Sequence, residues 1–286
     1  MSGNKRGKNK NAAFIKVALV AIFAIFSLLQ LPSLFGGFSF YAFDVGQADA
    51  FLFRLPGGEN VLVDAGSRRS SQALASRLRN LGVRRIDLVV ATHPHEDHIG
   101  GMEEILRTFP VERFWDSGYN HGSEVQSAML RAIRSSGARF ERPKAGHKEN
   151  FGEVLIEVIA PTREIRGTAS DANNNSLVLR VVYKDVAFLI TGDTEAAQRR
   201  SIEKFPLAAV LKLAHHGASN GTDERIIREV SPDLVILTYG EGNSYGHPHR
   251  ETTDLIARFN LRSRATKDGE IKITTDGRTL KVYQRR

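Results

Sequence analysis

The sequence predicts an α/β protein in which two sheets pack face to face with helices outside, carried behind one hydrophobic N-terminal segment. Three observations lead there. Strand-like runs bounded by turn residues alternate with helical periodicity, and the theme occurs twice along the chain. Composition is that of a globular protein, 41% hydrophobic and 25% charged over 286 residues, enough to bury a large core. Finally, residues 12–31 are apolar except for Lys16, Ser27 and Gln30.

Residues 1–11 form a basic leader. At about 1.5 Å per residue, a helix over 12–31 spans roughly 30 Å, the thickness of a bilayer core. The basic residues before it predict a single-pass anchor in the cell membrane with the body outside the cytoplasm. The alternative is a cleaved signal peptide and a secreted protein. Residues 32–37 read as a linker and 38–286 as one domain. Strands are expected at 38–43, 50–55 and 60–64, a helix at 70–81, and a buried strand at 86–91, whose apolar run is continuous. A helix at 102–108, a strand at 111–115 and a helix at 124–135 follow. The second half gives strands at 154–159, 177–182 and 186–190, then a helix at 195–204. A strand at 208–213, a helix at 223–230, a strand at 234–237 and a helix at 252–259 come next. A hairpin of 270–275 and 279–283 closes the chain, turning at Asp276-Gly277.

The net charge is +8, but Lys5, Arg6, Lys8, Lys10 and Lys16 carry five of those charges before any acid occurs, leaving +3 on the rest. Bulk charge is therefore weak support for a nucleic-acid partner. Cysteine is absent. This excludes disulfide scaffolds, thiolate metal sites and cysteine nucleophiles.

The strongest chemical signal is Thr92-His93-Pro94-His95-Glu96-Asp97-His98-Ile99-Gly100-Gly101, directly after the buried strand. Imidazole and carboxylate are the usual ligands of zinc and other divalent first-row metals. His93 and His95 can converge on one metal, with Asp97 and His98 facing a second. Gly100 and Gly101 allow close backbone packing as a helix begins. Thr191-Gly192-Asp193 ends another apolar strand; Asp193 could bridge metals or simply cap the following helix. Lys212-Leu213-Ala214-His215-His216-Gly217 ends a third. Tyr245-Gly246-His247-Pro248-His249 adds two histidines that could serve as general acid, anion contact or plain surface residues.

His93 to His98 with Asp64, Asp193 and His215-His216 resembles the metallo-β-lactamase fold superfamily. Asp44-Val45-Gly46-Gln47-Ala48-Asp49-Ala50, Val63-Asp64-Ala65-Gly66, Asn173-Asn174-Asn175-Ser176-Leu177-Val178-Leu179, Thr191-Gly192-Asp193 and the run from Lys212 to Ser219 narrow this. They resemble the competence branch, the C-terminal hydrolase domain of the ComEC DNA-uptake family, from about Phe38 onward. The resemblance implies a four-layer αββα sandwich with the metal site between sheet edges. It implies two divalent metal ions, zinc or manganese, held by His93, His95, Asp97, His98, Asp193 and His216. Asp64 would orient the histidine loop, and His215 would face the substrate, although the reverse assignment of His215 and His216 stays open. Asn174, Lys212 and His249 are further candidates for supporting or substrate contacts.

Two positions depart from the pattern. Ala48 stands where the family has glycine. The histidine usual between the first cluster and Asp193 is missing, and Asn174 occupies its region. Amide oxygen is a weaker, harder ligand, so the first metal is expected to bind loosely or to favour manganese. His121 and His147 lie between the motifs in a context unlike the family's ligand. ComEC proteins carry a many-span channel, whereas this chain with its one candidate span resembles the hydrolase module tethered to a membrane.

The function expected is a metal-dependent phosphodiesterase or nuclease acting on DNA or another phosphodiester polymer. Arg68, Arg69, Arg131, Arg134, Arg139, Arg142 and Lys144 could attract the polyanion. With no cysteine and no Gly-x-Ser-x-Gly elbow, a metal-activated water is the expected nucleophile. Asp97, His215 and His247 would take part in the chemistry. The alternatives are a hydrolase of a cell-envelope ester and a non-catalytic tethered binding module.

Overall fold

The structure, a computed structural model, describes residues 37–285. The expected leader and anchor, and all but the last residue of the linker, lie outside the described residues. Among the described residues no helix is long and apolar enough to cross a membrane.

β1 (Phe38–Ala42), β2 (Phe51–Arg54), β3 (Asn60–Val63), β4 (Ile86–Ala91), β5 (Val111–Asp116), β6 (Arg139–Glu141), β14 (Glu270–Thr275) and β15 (Leu280–Arg285) form one sheet. Its order is β15-β14-β1-β2-β3-β4-β5-β6. β7 (Lys148–Phe151), β8 (Val154–Ala160), β9 (Val178–Tyr183), β10 (Val186–Ile190), β11 (Val210–Lys212), β12 (Leu234–Leu237) and β13 (Arg262–Ala265) form the other, ordered β13-β12-β11-β10-β9-β8-β7.

The central strands are apolar on both faces because both faces are covered. In β4, Leu88 and Val90 join the core between the sheets, while Val89 and Ala91 face helices. In β10, Phe188 and Ile190 turn inward and Ala187 and Leu189 outward. Phe38, Phe40, Phe53 and Phe188 cluster in the inter-sheet core, mostly edge-on or tilted, with ring centroids 4.9–6.0 Å apart. Helices α1 (Ser71–Asn80), α2 (Glu96–Ile99), α3 (Met102–Thr108) and α4 (Glu124–Ser136) cover the first sheet through Leu74, Leu78, Ile99, Ile105 and Ile133. After α5 (Ala196–Ser201), α6 (Glu224–Val230) and α7 (Arg250–Arg258) cover the second through Ile226, Ile227, Val230 and Ile256. The four layers are those the resemblance implied.

Three strands were not anticipated: β6 (Arg-Phe-Glu), β7 (Lys-Glu-Asn-Phe) and β13 (Arg-Ser-Arg-Ala). All three are sheet edges. Edge strands are short and charged because an apolar edge invites pairing with other chains, so they lack the apolar signature of a strand. The helix expected at 195–204 is also shorter, ending at Ser201.

β3 to β6 run parallel to one another, as do β10 to β13. The loops leaving β3, β4, β10, β11 and β12 meet at one edge of the sandwich. Ligand sites form at the carboxyl ends of parallel strands.

Candidate metal centre

The loop after β4 is pinned before it presents any donor. Asp64, at the end of β3 with φ 57°, accepts hydrogen bonds from Thr92 N (2.8 Å), Thr92 Oγ1 (2.7 Å) and His98 Nδ1 (2.7 Å). Gly101 packs on the Asp64 segment so closely that a Cβ there would lie 2.2 Å from Ala65 O; one on Gly100 would lie 2.5 Å from Arg68 N. Neither position has room for a side chain.

His93, buried, and His95 stand together, with His93 Nε2 3.1 Å from His95 Nδ1. Asp193 Oδ2 is the hub of the site. It lies 3.3 Å from His98 Nε2, 3.4 Å from His216 Nε2, 3.8 Å from His215 Nε2 and 3.9 Å from His93 Nε2. Asp97 Oδ2 is 3.2 Å from His216 Nε2 and 3.9 Å from His98 Nε2. Asp97, His98, Asp193 and His216 thus form one compact donor group. Metal bonds of about 2.0–2.1 Å in tetrahedral array set ligand atoms roughly 3.3 Å apart, so this spacing fits a divalent ion. The ring orientations fit as well. His98 Nδ1 donates to Asp64 and His216 Nδ1 donates to Thr238 O (2.7 Å), which turns both Nε2 atoms toward the donor group, where they could hold an ion. His98 Nε2 is buried and has no hydrogen-bond partner among the described residues.

The electrostatics favour a cation. Burial disfavours charge on His98 and His216, yet the surrounding carboxylates, Asp193 foremost, hold both imidazoles well above their ordinary pKa. Burial likewise opposes charge on Asp97 and Asp193, and the neighbouring imidazoles overcome it, keeping both ionised. His93 is pushed well down by burial, then by His98, and is held neutral.

Asp193 does not cap α5: the cap residue is Glu195. Lys212 is fully buried, with Nζ 2.6 Å from Asp49 Oδ2, 3.4 Å from Asp193 Oδ1 and donating to Gly192 O at 2.8 Å. It therefore supports Asp193 and cannot touch substrate. His215 and His216 both hold left-handed backbone, φ 52° and 54°. Non-glycine residues adopt it at a cost, and such strain gathers at functional sites. The turn divides the pair, sending His216 into the donor group and His215, a quarter exposed, to the cavity with Nδ1 3.4 Å from Glu195 Oε1.

A cavity of about 430 Å³ opens over the donors, lined by Gln47, His95, Asp97, Asn173, His215 and His247 among others. Three expectations need correction here. Asn174 is not at the cavity: its Oδ1 accepts from Gln198 N (3.0 Å) and its Nδ2 donates to Ser170 O (3.0 Å). Asn173 lines the cavity instead, its Oδ1 without a partner among the described residues and its Nδ2 donating to Glu195 (2.9 Å). His249 is turned away: its Nδ1 accepts from Ser219 N (3.0 Å) at the start of α7. His121, set aside on sequence, stands on the cavity wall with its ring 5.2 Å from that of His95. His147 packs edge-on against Trp115, away from the donors. His247 is depressed to about 4, by burial first and then by His216, His215 and His249.

Ala48 has ordinary backbone; the left-handed residue of its turn is Gly46, φ 79°. The alanine is therefore free of strain. Sequence reasoning gave no role to Asp49 beyond its motif, yet it is buried against Lys212 and its Oδ1 lies 3.3 Å from His216 Nδ1.

Strand order, the donor group and the cavity define a metallo-hydrolase fold with its site at a sandwich edge, and residues 43–240 match the model of the metallo-beta-lactamase superfamily. The chain belongs to that superfamily and is a metallo-hydrolase of it. The resemblance to the competence branch is borne out. The chain is 29% identical over 263 residues to ComE operon protein 3 of Bacillus subtilis (strain 168), covering 84% of this chain and 34% of that protein. It is 27% identical to Recombination protein 2 of Haemophilus influenzae, covering 85% of this chain and 29% of that one. The chain thus spans about a third of the length of these relatives. Among solved structures, a diphosphatase from the PhnP family superposes with a TM-score of 0.52 at 15% identity, covering 83% of this chain and 98% of that one; this is a likeness of fold.

Proposed function

We propose that the protein is a metal-dependent phosphodiesterase, with DNA or another phosphodiester polymer as substrate. The observation that carries this reading is the convergence of His93, His98, His215 and His216 on Asp193 Oδ2 beneath an open cavity. His93, His95 and Asp193 would hold one ion, and Asp97, His98, Asp193 and His216 the other, zinc or manganese. Two such ions activate water and offset charge on a phosphoryl group. The cavity wall contains no lysine or arginine among the described residues, which suits a diester with one negative charge better than a doubly charged monoester. His215 faces the cavity with Glu195 behind its Nδ1, and is suited to protonating the leaving oxygen. Of the proposed DNA-attracting residues, Arg131, Arg139 and Arg142 are paired with Glu124, Glu141 and Asp116. Arg68, Arg69, Arg134 and Lys144 would remain to attract a polymer.

The test is a screen of the full chain in detergent, loaded with zinc or manganese. Substrates are single- and double-stranded DNA, RNA, bis-p-nitrophenyl phosphate, p-nitrophenyl phosphate and a chromogenic carboxylic ester. Diester cleavage is expected, and lost in His95→Ala or Asp97→Ala with the fold retained. Hydrolysis of the carboxylic ester with every phosphodiester left intact would sink the reading. The body is proposed to lie outside the cytoplasm on an N-terminal anchor; protease added to spheroplasts should digest it, and full protection until lysis would refute that topology.

A further inference from the structure

The loop between β1 and β2 contributes a side chain, Gln47, whose polar contacts among the described residues run to the loop after β12. Gln47 Oε1 accepts a hydrogen bond from Gly240 N at 3.2 Å. A backbone N–H can only donate, so the amide orientation is determined. Gln47 Nε2 must then be the atom 3.0 Å from His247 Nδ1. An amide –NH₂ only donates, so His247 Nδ1 accepts and carries no proton. The contact is close by construction: a Cβ on Gly240 would lie 2.9 Å from Gln47 N, so glycine lets the two loops meet.

His247 is held in every other respect too. Its backbone N donates to Asn243 Oδ1 (2.9 Å), and Asn243 Nδ2 donates back to His247 O (2.8 Å). Its ring stacks on Tyr245, centroids 5.6 Å apart and planes at 22°. The residue lines the cavity, and Nε2 is its remaining polar ring atom. A neutral imidazole with Nδ1 unprotonated has its proton on Nε2.

We propose that Gln47 is a positioning residue that locks His247 in the Nε2–H form, so that the ring donates a hydrogen bond to an anionic substrate oxygen rather than giving up a proton. This rests on the phosphodiesterase reading. It divides labour between the two cavity histidines. His215, backed by a carboxylate, can move a proton; His247, backed by an amide –NH₂, can only hold one in place. Prearranged donors of this kind act where charge develops in the transition state.

The test uses the full chain in detergent, loaded with zinc and labelled with ¹⁵N in its histidine rings. The His247 signals are identified by their loss in His247→Gln. The wild-type spectrum should show an unprotonated Nδ1 and a protonated Nε2. Gln47→Glu keeps the acceptor for Gly240 N but presents a carboxylate to Nδ1, and should move a proton onto that nitrogen. With bis-p-nitrophenyl phosphate, kcat should fall about 10²-fold with KM and zinc content nearly unchanged. A proton on Nδ1 in the wild type overturns the proposal, as does a Gln47→Glu protein whose spectrum shows the proton moved from Nε2 to Nδ1 while kcat is unchanged. Should Gln47→Glu not fold, Gln47→Met, which can neither accept from Gly240 nor donate to His247, should give mixed tautomers; a spectrum identical to wild type overturns the proposal. If the wild type cleaves no phosphodiester, that reading fails by itself, and the spectrum still decides the tautomer.

Discussion

On one side of Asp193 stand Asp97, His98 and His216, drawn from two loops and compact enough to enclose an ion. On the other, among the described residues, stand His93 and His95, with Asn173 on the same cavity wall. Both sides use the same carboxylate oxygen, yet they differ in number and softness of donors. The fuller side should load first and hold more tightly, and the poorer side should exchange with solvent and accept harder ions.

The largest effect should come from removing what the sides share. Asp193→Asn should lower kcat/KM by about 10³-fold or more, roughly 4 kcal/mol of transition-state stabilisation, and metal analysis should find both ions depleted. Loss of one ion alone would show that Asp193 serves a single side. Next is Lys212→Met, which removes the buried cation shared by Asp49 and Asp193 and leaves His98 and His216 to balance them. Breaking a buried pair costs about 3–5 kcal/mol, so denaturant melts of the metal-free protein should show a loss near 3 kcal/mol. Added zinc should recover part of it, because a cation replaces the lost charge; an equal loss with and without zinc would count against Lys212 balancing this site. The smallest change sharpens the contrast directly. Asn173→His should tighten the weaker site by about tenfold, read as a later release in chelator competition while the tighter site is unmoved. A single release phase in both proteins would mean the two sides are equivalent after all.

Much of this was legible in the sequence where one segment carries its own physics. The continuous apolar run of β4 announces a strand covered on both faces, and the histidine loop that follows it announces a metal. What was hidden depended on contacts between distant segments or on direction within one turn. Lys212 reads as the end of a strand and a candidate for a supporting or substrate contact, but nothing in the sequence pairs it with Asp49 until β11 brings the two together. Residues Asn173–Asn175 sit in a 3₁₀ turn, where successive side chains point about 120° apart; spacing cannot say which asparagine faces the cavity, and the structure selects the first rather than the second. The same holds for His247 and His249, two residues apart, one facing the donors and the other the start of α7. The edge strands were missed for the opposite reason, since the charge that protects an edge also conceals it.

The donor group joins the two sheets. Asp97 and His98 leave the first, Asp193 and His216 leave the second, and Asp97 and His216 are 119 residues apart in the chain. A bound ion is thus a cross-link, closing a long loop of chain much as a disulfide would in a protein that has no cysteine. At a thousandfold excess over its dissociation constant such an ion adds about 4 kcal/mol to the folded state. That stabilisation falls on one edge of the sandwich. Chelation should release that edge to hydrogen exchange and proteolysis while the phenylalanine core between the sheets stays closed, making metal supply a control on the lifetime of the protein as well as on its activity.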